Sequence, residues 1–318
     1  MIVSYITGGL ANQMFQLSAS LSAFQNEEIK LIWGKGAKIS SGSAFPEVFD
    51  FNLPANVSGL SPRAISQPLQ KMLNYLLVRG ANEAPKTIVF FVTKLILEIF
   101  FTLRLKGFCK VYISQGLGFY PIEKKSKNLV LIGYFQSYIY TRDAEYWFGM
   151  DILIKSIERK LNQLGFDNLM DEMFTAVHVR LGDYRRELSF GILTDWYYHG
   201  VLSKLSLEET RRIVLFSDEP ENCLSRIPEE LRVKTWIVPP SVFTSAETLA
   251  LMSRASIFVL ANSTFSWWGA RLGKKQDEIV FAPKPWFSTN KVPNNLYPPK
   301  WILIKAHFYS IKHDVYEY

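Results

Sequence analysis

Apolar positions recur along the chain at two distinct periods. Ile2 to Thr7 is a near-continuous apolar run that reads as a buried strand. Gly8 and Gly9 break it, and Met14, Phe15, Leu17, Leu21 and Phe24 then follow at helical spacing. Leu31-Ile32-Trp33 predicts a second strand, whereas residues 34 to 69 mix Gly, Pro and Ser with short apolar pieces and read as connecting structure. Leu129 to Ile132 predicts another strand, and Trp147 to Leu164 a helix leading to Gly165 and Asp167. Beyond that point the pattern becomes regular. Strand-like runs begin at Thr175, Ile213, Thr235, Ile257 and Ile279, with helical segments at Asp195–Leu205, Glu219–Leu224, Ala246–Ser253 and Phe265–Leu272. The last four strands start about 22 residues apart, the tempo of a parallel sheet with short crossover helices.

Lys86 to Leu105 is the most hydrophobic stretch. Wound as a helix it gathers Thr87, Lys94, Glu98 and Thr102 on one narrow face and leaves the rest apolar. Lys94 and Glu98 interrupt what would otherwise be long enough to span a bilayer. The expectation is a buried helix, with a membrane-surface or dimer face as the alternative.

At 318 residues the chain is long enough for two domains sharing a cleft. Its 48% hydrophobic and 20% charged residues are those of an ordinary folded protein. The formal net charge of +7 favours anionic partners, but no zinc-finger spacing, RNP-like aromatic pair or separate basic helix points to nucleic acid. Cys109 and Cys223 stand apart, which excludes a disulfide framework and suits a reducing compartment. The opening Met1-Ile2-Val3-Ser4 runs into the first strand without the basic region or cleavage site of a signal peptide, so a cytoplasmic protein is expected.

In parallel sheets the informative positions are where strands stop. His178-Val179-Arg180-Leu181-Gly182-Asp183-Tyr184 follows the apolar run from Phe174 and delivers an imidazole, a guanidinium and a carboxylate together. Such groups are costly to desolvate, and a functional site or a structural ion pair are the two readings. Alternation sends His178 and Arg180 to one side, and Gly182 permits a turn that re-aims Asp183. Ser217-Asp218-Glu219 ends the next strand, offering either a hydrogen-bonding rim for a base or ribose or a helix cap. Asn262-Ser263-Thr264 opens a helix with good caps that are also good phosphate donors, and the tryptophans Trp267 and Trp268 that follow read as packing. Gly8-Gly9-Leu10-Ala11-Asn12-Gln13 forms a glycine turn before a helix, lacking the third glycine of the dinucleotide fingerprint. Gly133-Tyr134-Phe135-Gln136-Ser137 places aromatic rings beside amides, which suits sugar binding or loop packing. The near match to a metal-binding Asp-x-Asp, Asp143-Ala144-Glu145, follows no buried strand.

Taken in order, Gly8 to Gln16, Gly133 to Ser137, His178 to Tyr184, Phe216-Ser217-Asp218 and Asn262 to Ala270 resemble the motifs of the galactoside α-1,2-fucosyltransferase family. The resemblance implies an α/β fold of GT-B type, with two Rossmann-like domains whose parallel sheets face each other across a cleft. Residues 1–166 would form the acceptor side with inserted helices, 167–290 the domain binding the GDP-sugar, and 291–318 a tail packing back on the body. It implies an inverting transfer from GDP-β-L-fucose to the 2-hydroxyl of a terminal galactose in a surface glycan such as an O-antigen, with no metal and no cofactor. The alternatives are a transferase using another GDP-sugar and a non-catalytic GDP-sugar or glycan-binding protein. The expected partners are GDP-fucose and a lipid-linked, galactose-terminated oligosaccharide, met by peripheral association with the inner face of a membrane.

Without a metal, cations and N–H dipoles must carry the charge of the leaving diphosphate. That role is assigned to Arg180, the amides from Gly9 to Asn12, and the helix start at Asn262, Ser263 and Thr264. By the resemblance, His178, Asp218 and Phe265 contact the nucleotide and Asn12 lies close to the donor phosphate. Asp183 is the first candidate base, or else orients Arg180, and Glu187 is the second. The acceptor candidates are Gln136 and Tyr134. Two positions depart from the family pattern: Leu181 stands where a second arginine is usual, and Arg271 where an aromatic is common. Arg185 and Arg186 lie close enough in sequence to compensate for the first.

Overall fold

Two sheets, each wholly parallel, carry the chain in a computed structural model that describes residues 1–60, 65–187, 189–273 and 277–309. The chain divides into two compact units, Met1–Gly149 with Pro293–Tyr297, and Met150–Val292 with the chain from Pro298.

The first unit holds strands β1 (Ile2–Gly8), β2 (Ile29–Ala37), β3 (Val57–Gly59), β4 (Cys109–Ile113) and β5 (Asn128–Ile132), in the order β3-β2-β1-β5-β4. β1 and β5 are inner strands buried along nearly their whole length, which is why both read as near-continuous apolar runs. Helix α1 (Leu10–Ala23) is buried on most sides, polar residues included. Gln13 donates to the carbonyls of Gly8 and Lys38, both at 2.8 Å, and accepts from Val48 N at 3.0 Å. Gln16 accepts from Thr7 N at 2.9 Å. The glutamines of the first motif therefore tie the glycine turn to its surroundings, satisfying backbone groups that burial would otherwise strand.

Helices α2 (Gln67–Ala81) and α3 (Ile88–Arg104) share a core with the sheet through Leu69, Leu73, Leu76, Leu77, Phe90 and Leu97. The expectation of a buried helix over 86–105 fails. α3 buries only Phe90, Thr93, Leu97 and Phe101, a single i, i+3, i+7, i+11 stripe, with Phe100 half-buried beside it, and exposes most of its other apolar side chains. The reason is positional, because α3 rests on the edge strand β4 and on α2, surfaces wide enough for one stripe. Among the described residues no helix is long and apolar enough to cross a membrane.

The helix expected from Trp147 to Leu164 starts later, as α5 (Asp151–Gln163), and a separate short helix, α4 (Ala144–Trp147), ends at Trp147. Between them Gly149 exchanges backbone hydrogen bonds with Asn52, which ends the first. The unit boundary consequently falls at 149/150 rather than at 166/167. α5 belongs to the second unit because Ser156 and Lys160 both bond Glu247 at 2.6 Å, on helix α7 described below. The expected boundary at 290/291 also shifts, since Pro293–Tyr297 counts with the first unit.

The second unit holds β6 (Thr175–Val179), helix α6 (Asp195–Leu202), β7 (Ile213–Ser217), β8 (Thr235–Ile237), helix α7 (Ser245–Met252), β9 (Ile257–Val259), helix α8 (Thr264–Arg271), β10 (Ile279–Lys284) and β11 (Ile302–Lys305). Its sheet runs β11-β10-β9-β6-β7-β8, the doubly wound order of a dinucleotide-binding fold. The expected helix at Glu219–Leu224 is replaced by single turns at Pro220–Asn222 and Leu224–Arg226, in a segment bracketed by Pro220 and Pro228. The tail expected over 291–318 contributes β11 to the sheet edge beside β10, and its residues 310–318 lie outside the described residues.

Candidate active site

Strand order creates the site. In the second sheet β6 and β9 are neighbours, but the chain leaves them toward opposite edges, β7 and β8 on one side and β10 and β11 on the other. A parallel sheet opens a crevice at the carboxyl ends of such a pair. His178 to Asp183 leaves β6 there, and Asn262 to Phe265 leaves β9.

Alternation works out as the sequence predicts. Val177, Val179 and Leu181 enter one core cluster, while His178 and Arg180 take the other side. Leu181 has two tasks: its side chain fills that core, and its N–H donates to Asp218 Oδ1 at 3.0 Å. An arginine here would have to bring its charge out of an apolar layer. Asp218 Oδ2 faces Arg180 Nε at 3.3 Å, and Asp183 Oδ1 lies 2.9 Å from the same Nε and 2.8 Å from an Nη. Two carboxylates thus fix the plane of one guanidinium. Gly182 is required for this, since a Cβ there would come within 2.4 Å of Asp218 Oδ2. Arg185 forms its own pair with Glu219 at 2.9 Å, which holds the Glu219 carboxyl below its ordinary range despite partial burial. Arg186 is exposed.

His178 is 5% exposed, and burial with the neighbouring Arg180 charge pushes its pKa down to about 3, so the imidazole is neutral. Its Nδ1 is buried without a hydrogen-bond partner among the described residues, and its ring lies 5.9 Å from that of Phe265. Tyr184 passes under Arg180, with the guanidinium 5.8 Å from the ring centre, and donates to Asn262 O at 2.9 Å. Burial raises the Tyr184 phenol well above its ordinary value.

Ser263 caps α8, its Oγ accepting from Phe265 N at 3.3 Å, and Thr264 begins the helix. Asn262 spends its Nδ2 on the carbonyls of Phe190 and Gly191, at 2.9 and 3.1 Å, and so braces the site. Trp267 and Trp268 are fully buried and pack edge to face. In the Ser217-Asp218-Glu219 segment, Ser217 Oγ accepts from Glu219 N at 3.1 Å while Asp218 reaches back to the β6 exit. The structure therefore gathers His178, Arg180, Asp183, Asp218, Ser263, Thr264 and Phe265 around one strand pair. Glu187 is exposed at the end of the same turn: its N–H donates to Asp183 O at 3.2 Å, and its carboxylate accepts from Ser189 Oγ at 2.7 Å.

The first unit has its own switch point, between β1 and β5. Gly8 (φ +77°) needs to be glycine for its backbone and for room, because a Cβ would lie 2.9 Å from Asn12 Nδ2. Gly9 needs glycine for neither: its φ is −75°, and nothing lies within 4 Å of a Cβ placed there. Asn12 Oδ1 accepts from Gln136 Nε2 at 3.2 Å, bridging the two strand ends, while Gln136 Oε1 is buried without a partner among the described residues. Burial raises the phenol of Tyr134.

Sequence reasoning missed Glu47. Its Oε2 accepts from Leu10 N at 3.0 Å and its Oε1 lies 3.3 Å from Lys38 Nζ. A carboxylate of the chain itself thus sits at the start of α1, and Asn12 N–H donates to Gly9 O. Two of the amides assigned to a phosphate already have partners. Among the described residues, no three His, Cys, Asp or Glu side chains cluster as a metal site.

The chain is 32% identical over 136 residues to the O-antigen biosynthesis glycosyltransferase WbnK of Escherichia coli, and 32% identical over 137 residues to an Escherichia coli alpha-1,2-colitosyltransferase. These alignments cover 40% and 41% of this chain and 43% and 47% of the relatives, so less than half the length of each curated relative is matched. The solved structure of the E. coli ADP-heptose lps heptosyltransferase II aligns with a TM-score of 0.50 at 10% identity, covering 95% of this chain and 89% of that one. That likeness concerns fold alone, and with the two parallel sheets it makes the architecture α/β of GT-B type. Residues 121–305 match the family described as Glycosyl transferase family 11. Since that match takes in more than half of the chain, including the β6 exit, Asp218 and the start of α8, the protein belongs to glycosyl transferase family 11.

Proposed function

We propose that the protein is an inverting glycosyltransferase that moves L-fucose from GDP-β-L-fucose to the 2-hydroxyl of a terminal galactose on a lipid-linked surface glycan. The observation that carries this reading is Arg180, held by Asp183 and Asp218 at the switch point of a dinucleotide-type sheet in a glycosyl transferase family 11 chain. In such a transfer the acceptor hydroxyl attacks the anomeric carbon while GDP departs with growing negative charge. An oriented guanidinium meets two diphosphate oxygens at once, and the N–H groups at the start of α8 add to it. Neutral His178, with its free buried Nδ1 beside Phe265, suits a hydrogen bond to the nucleotide. Asp183, engaged by Arg180, acts as a positioning residue in this scheme, and an oxocarbenium-like transition state lessens the need for a strong base. Glu187 is the remaining candidate base. Gly9 and Asn12 are assigned to the donor phosphate and Gln136 and Tyr134 to the acceptor, and the reaction uses no metal.

A second reading has its own support in the 32% identity to the alpha-1,2-colitosyltransferase: the donor sugar is colitose, which lacks the 3-hydroxyl of fucose. The test is GDP release from GDP-fucose, GDP-colitose and GDP-mannose with a galactoside acceptor in the presence of EDTA, followed by NMR of the product linkage. Turnover of GDP-fucose to an α-1,2 product supports the first reading, and turnover of GDP-colitose alone the second. Turnover of GDP-mannose alone, or of no donor, overturns both.

A further inference from the structure

The outer face of α3 is an unusual surface for a folded protein. Ile88, Phe91, Leu95, Ile96, Ile99 and Leu103 are all at least 47% exposed and follow one another along the helix. Contiguous apolar surface of this kind marks a contact with something else. The charges around it identify what. Glu98, the helix's one acid, is turned away: its side chain is 13% exposed, lies near Lys94 and Lys110 at 3.9 and 3.6 Å, and accepts from Val111 N at 3.0 Å. Cations stand at both ends of the face, Lys86 before it and Arg104 and Lys106 after it, all exposed. Exposed Phe108 adds an aromatic ring, with Lys110 Nζ 5.0 Å from its centre.

Beside the amino-terminal end of α3 lies a cavity of about 250 Å³ at the carboxyl end of β4, lined by Arg79, Glu83, Lys86, Phe90, Ser114 and Gln115 among others. Its two cations outnumber its one carboxylate. Arg79 donates through an Nη to Pro85 O, but its Nε is buried without a partner among the described residues. Phe90 and Lys86 connect the cavity to the apolar face.

We propose that α3 and this cavity are the surface by which the protein lies on an anionic membrane, with a phosphate-bearing lipid headgroup in the cavity and the apolar face in the acyl boundary. A helix presenting Phe, Leu and Ile between lysines and arginines binds a lipid interface in this way, the cations reaching up to the phosphates. A second copy of the chain is a poorer occupant. Paired face to face, two such helices would set cationic ends against cationic ends in either direction. This deepens the proposed use of a lipid-linked acceptor, and rests on that reading only for its biological purpose.

The test is sedimentation of the full chain with vesicles of phosphatidylcholine alone or mixed with phosphatidylglycerol, alongside GDP release with a water-soluble galactoside. The protein should sediment with the mixed vesicles and not with phosphatidylcholine alone. Lys86→Ala should weaken that binding about fivefold, the effect of one cation near an anionic surface, and Ile96→Glu with Ile99→Glu should abolish it while leaving turnover of the soluble acceptor unchanged. Failure to bind mixed vesicles overturns the proposal whatever the turnover. So does binding unaffected by the double variant, or a dimer in velocity sedimentation that the double variant dissolves. Failure of turnover with vesicle binding intact counts against the proposed reaction instead.

Discussion

Replacing Asp218 separates the two tasks assigned to it. One oxygen accepts the N–H of Leu181 at 3.0 Å, and the other faces Arg180 Nε at 3.3 Å. In Asp218→Ala the Leu181 amide, beneath a 2% exposed side chain, loses its acceptor, and an unsatisfied buried N–H costs about 1–3 kcal/mol. The ion pair adds less, because both side chains keep some exposure (30% and 23%), which limits such pairs to about 1 kcal/mol or below. The expected loss is therefore about 2 kcal/mol, mostly from the amide. Asp218→Asn keeps an oxygen for Leu181 and loses only the charge, so it should cost under about 1 kcal/mol. Urea unfolding at neutral pH reads both, as a lower midpoint with unchanged slope. If Asp218→Ala is as stable as the wild type, or Asp218→Asn as damaged as Asp218→Ala, the assignment of the Leu181 amide is wrong.

Gly9→Ser places its side chain in open space on ordinary backbone and retains a good helix cap, so thermal stability should hold while turnover falls; unchanged turnover would show that no ligand approaches there. Glu47→Ala removes the carboxylate at the start of α1 and should cost about 1–2 kcal/mol in urea unfolding, a loss that a fully stable variant would contradict. His178 is depressed to about 3 in the fold and titrates near 6.5 when unfolded, so the unfolded state binds the extra proton between those values. Its contribution is complete above pH 6.5 and is lost as pH falls toward 3, at up to about 1.4 kcal/mol per pH unit. His178→Gln should flatten that slope, and an identical pH profile in both proteins would refute a buried neutral imidazole.

The second unit was the more legible half of the sequence. Thr175, Ile213, Thr235, Ile257 and Ile279 each begin a strand; four of these are central parallel strands, covered on both faces and written as apolar runs, and the half-buried edge strand at Thr235 was legible from its even spacing with them. Edge strands lack that signature: β4 carries exposed Lys110, and β11 is largely exposed, so neither stands out. α3 misled for a related reason. Its composition implies deep burial, yet the edge of a sheet offers only a narrow seat, and no pattern within one helix reports the width of what it packs on. At the site, the residue types at the strand ends and the alternation of His178 with Arg180 were readable. The pairing of Arg180 with Asp218 was not, since it depends on β6 and β7 lying side by side, and neither was Glu47, which approaches α1 from a segment without periodicity. The missing second arginine also has a structural sense: Leu181 occupies an inward position whose amide, rather than its side chain, serves the site.

In the proposed reaction Arg180 is the cation that bears the leaving diphosphate. GDP-fucose turnover by Arg180→Ala, in protein whose circular dichroism matches the wild type, tests it most directly. Loss of one such transition-state donor, about 3 kcal/mol, predicts a fall of roughly a hundredfold or more. Turnover within about threefold of wild type, a difference of under about 1 kcal/mol, would contradict it.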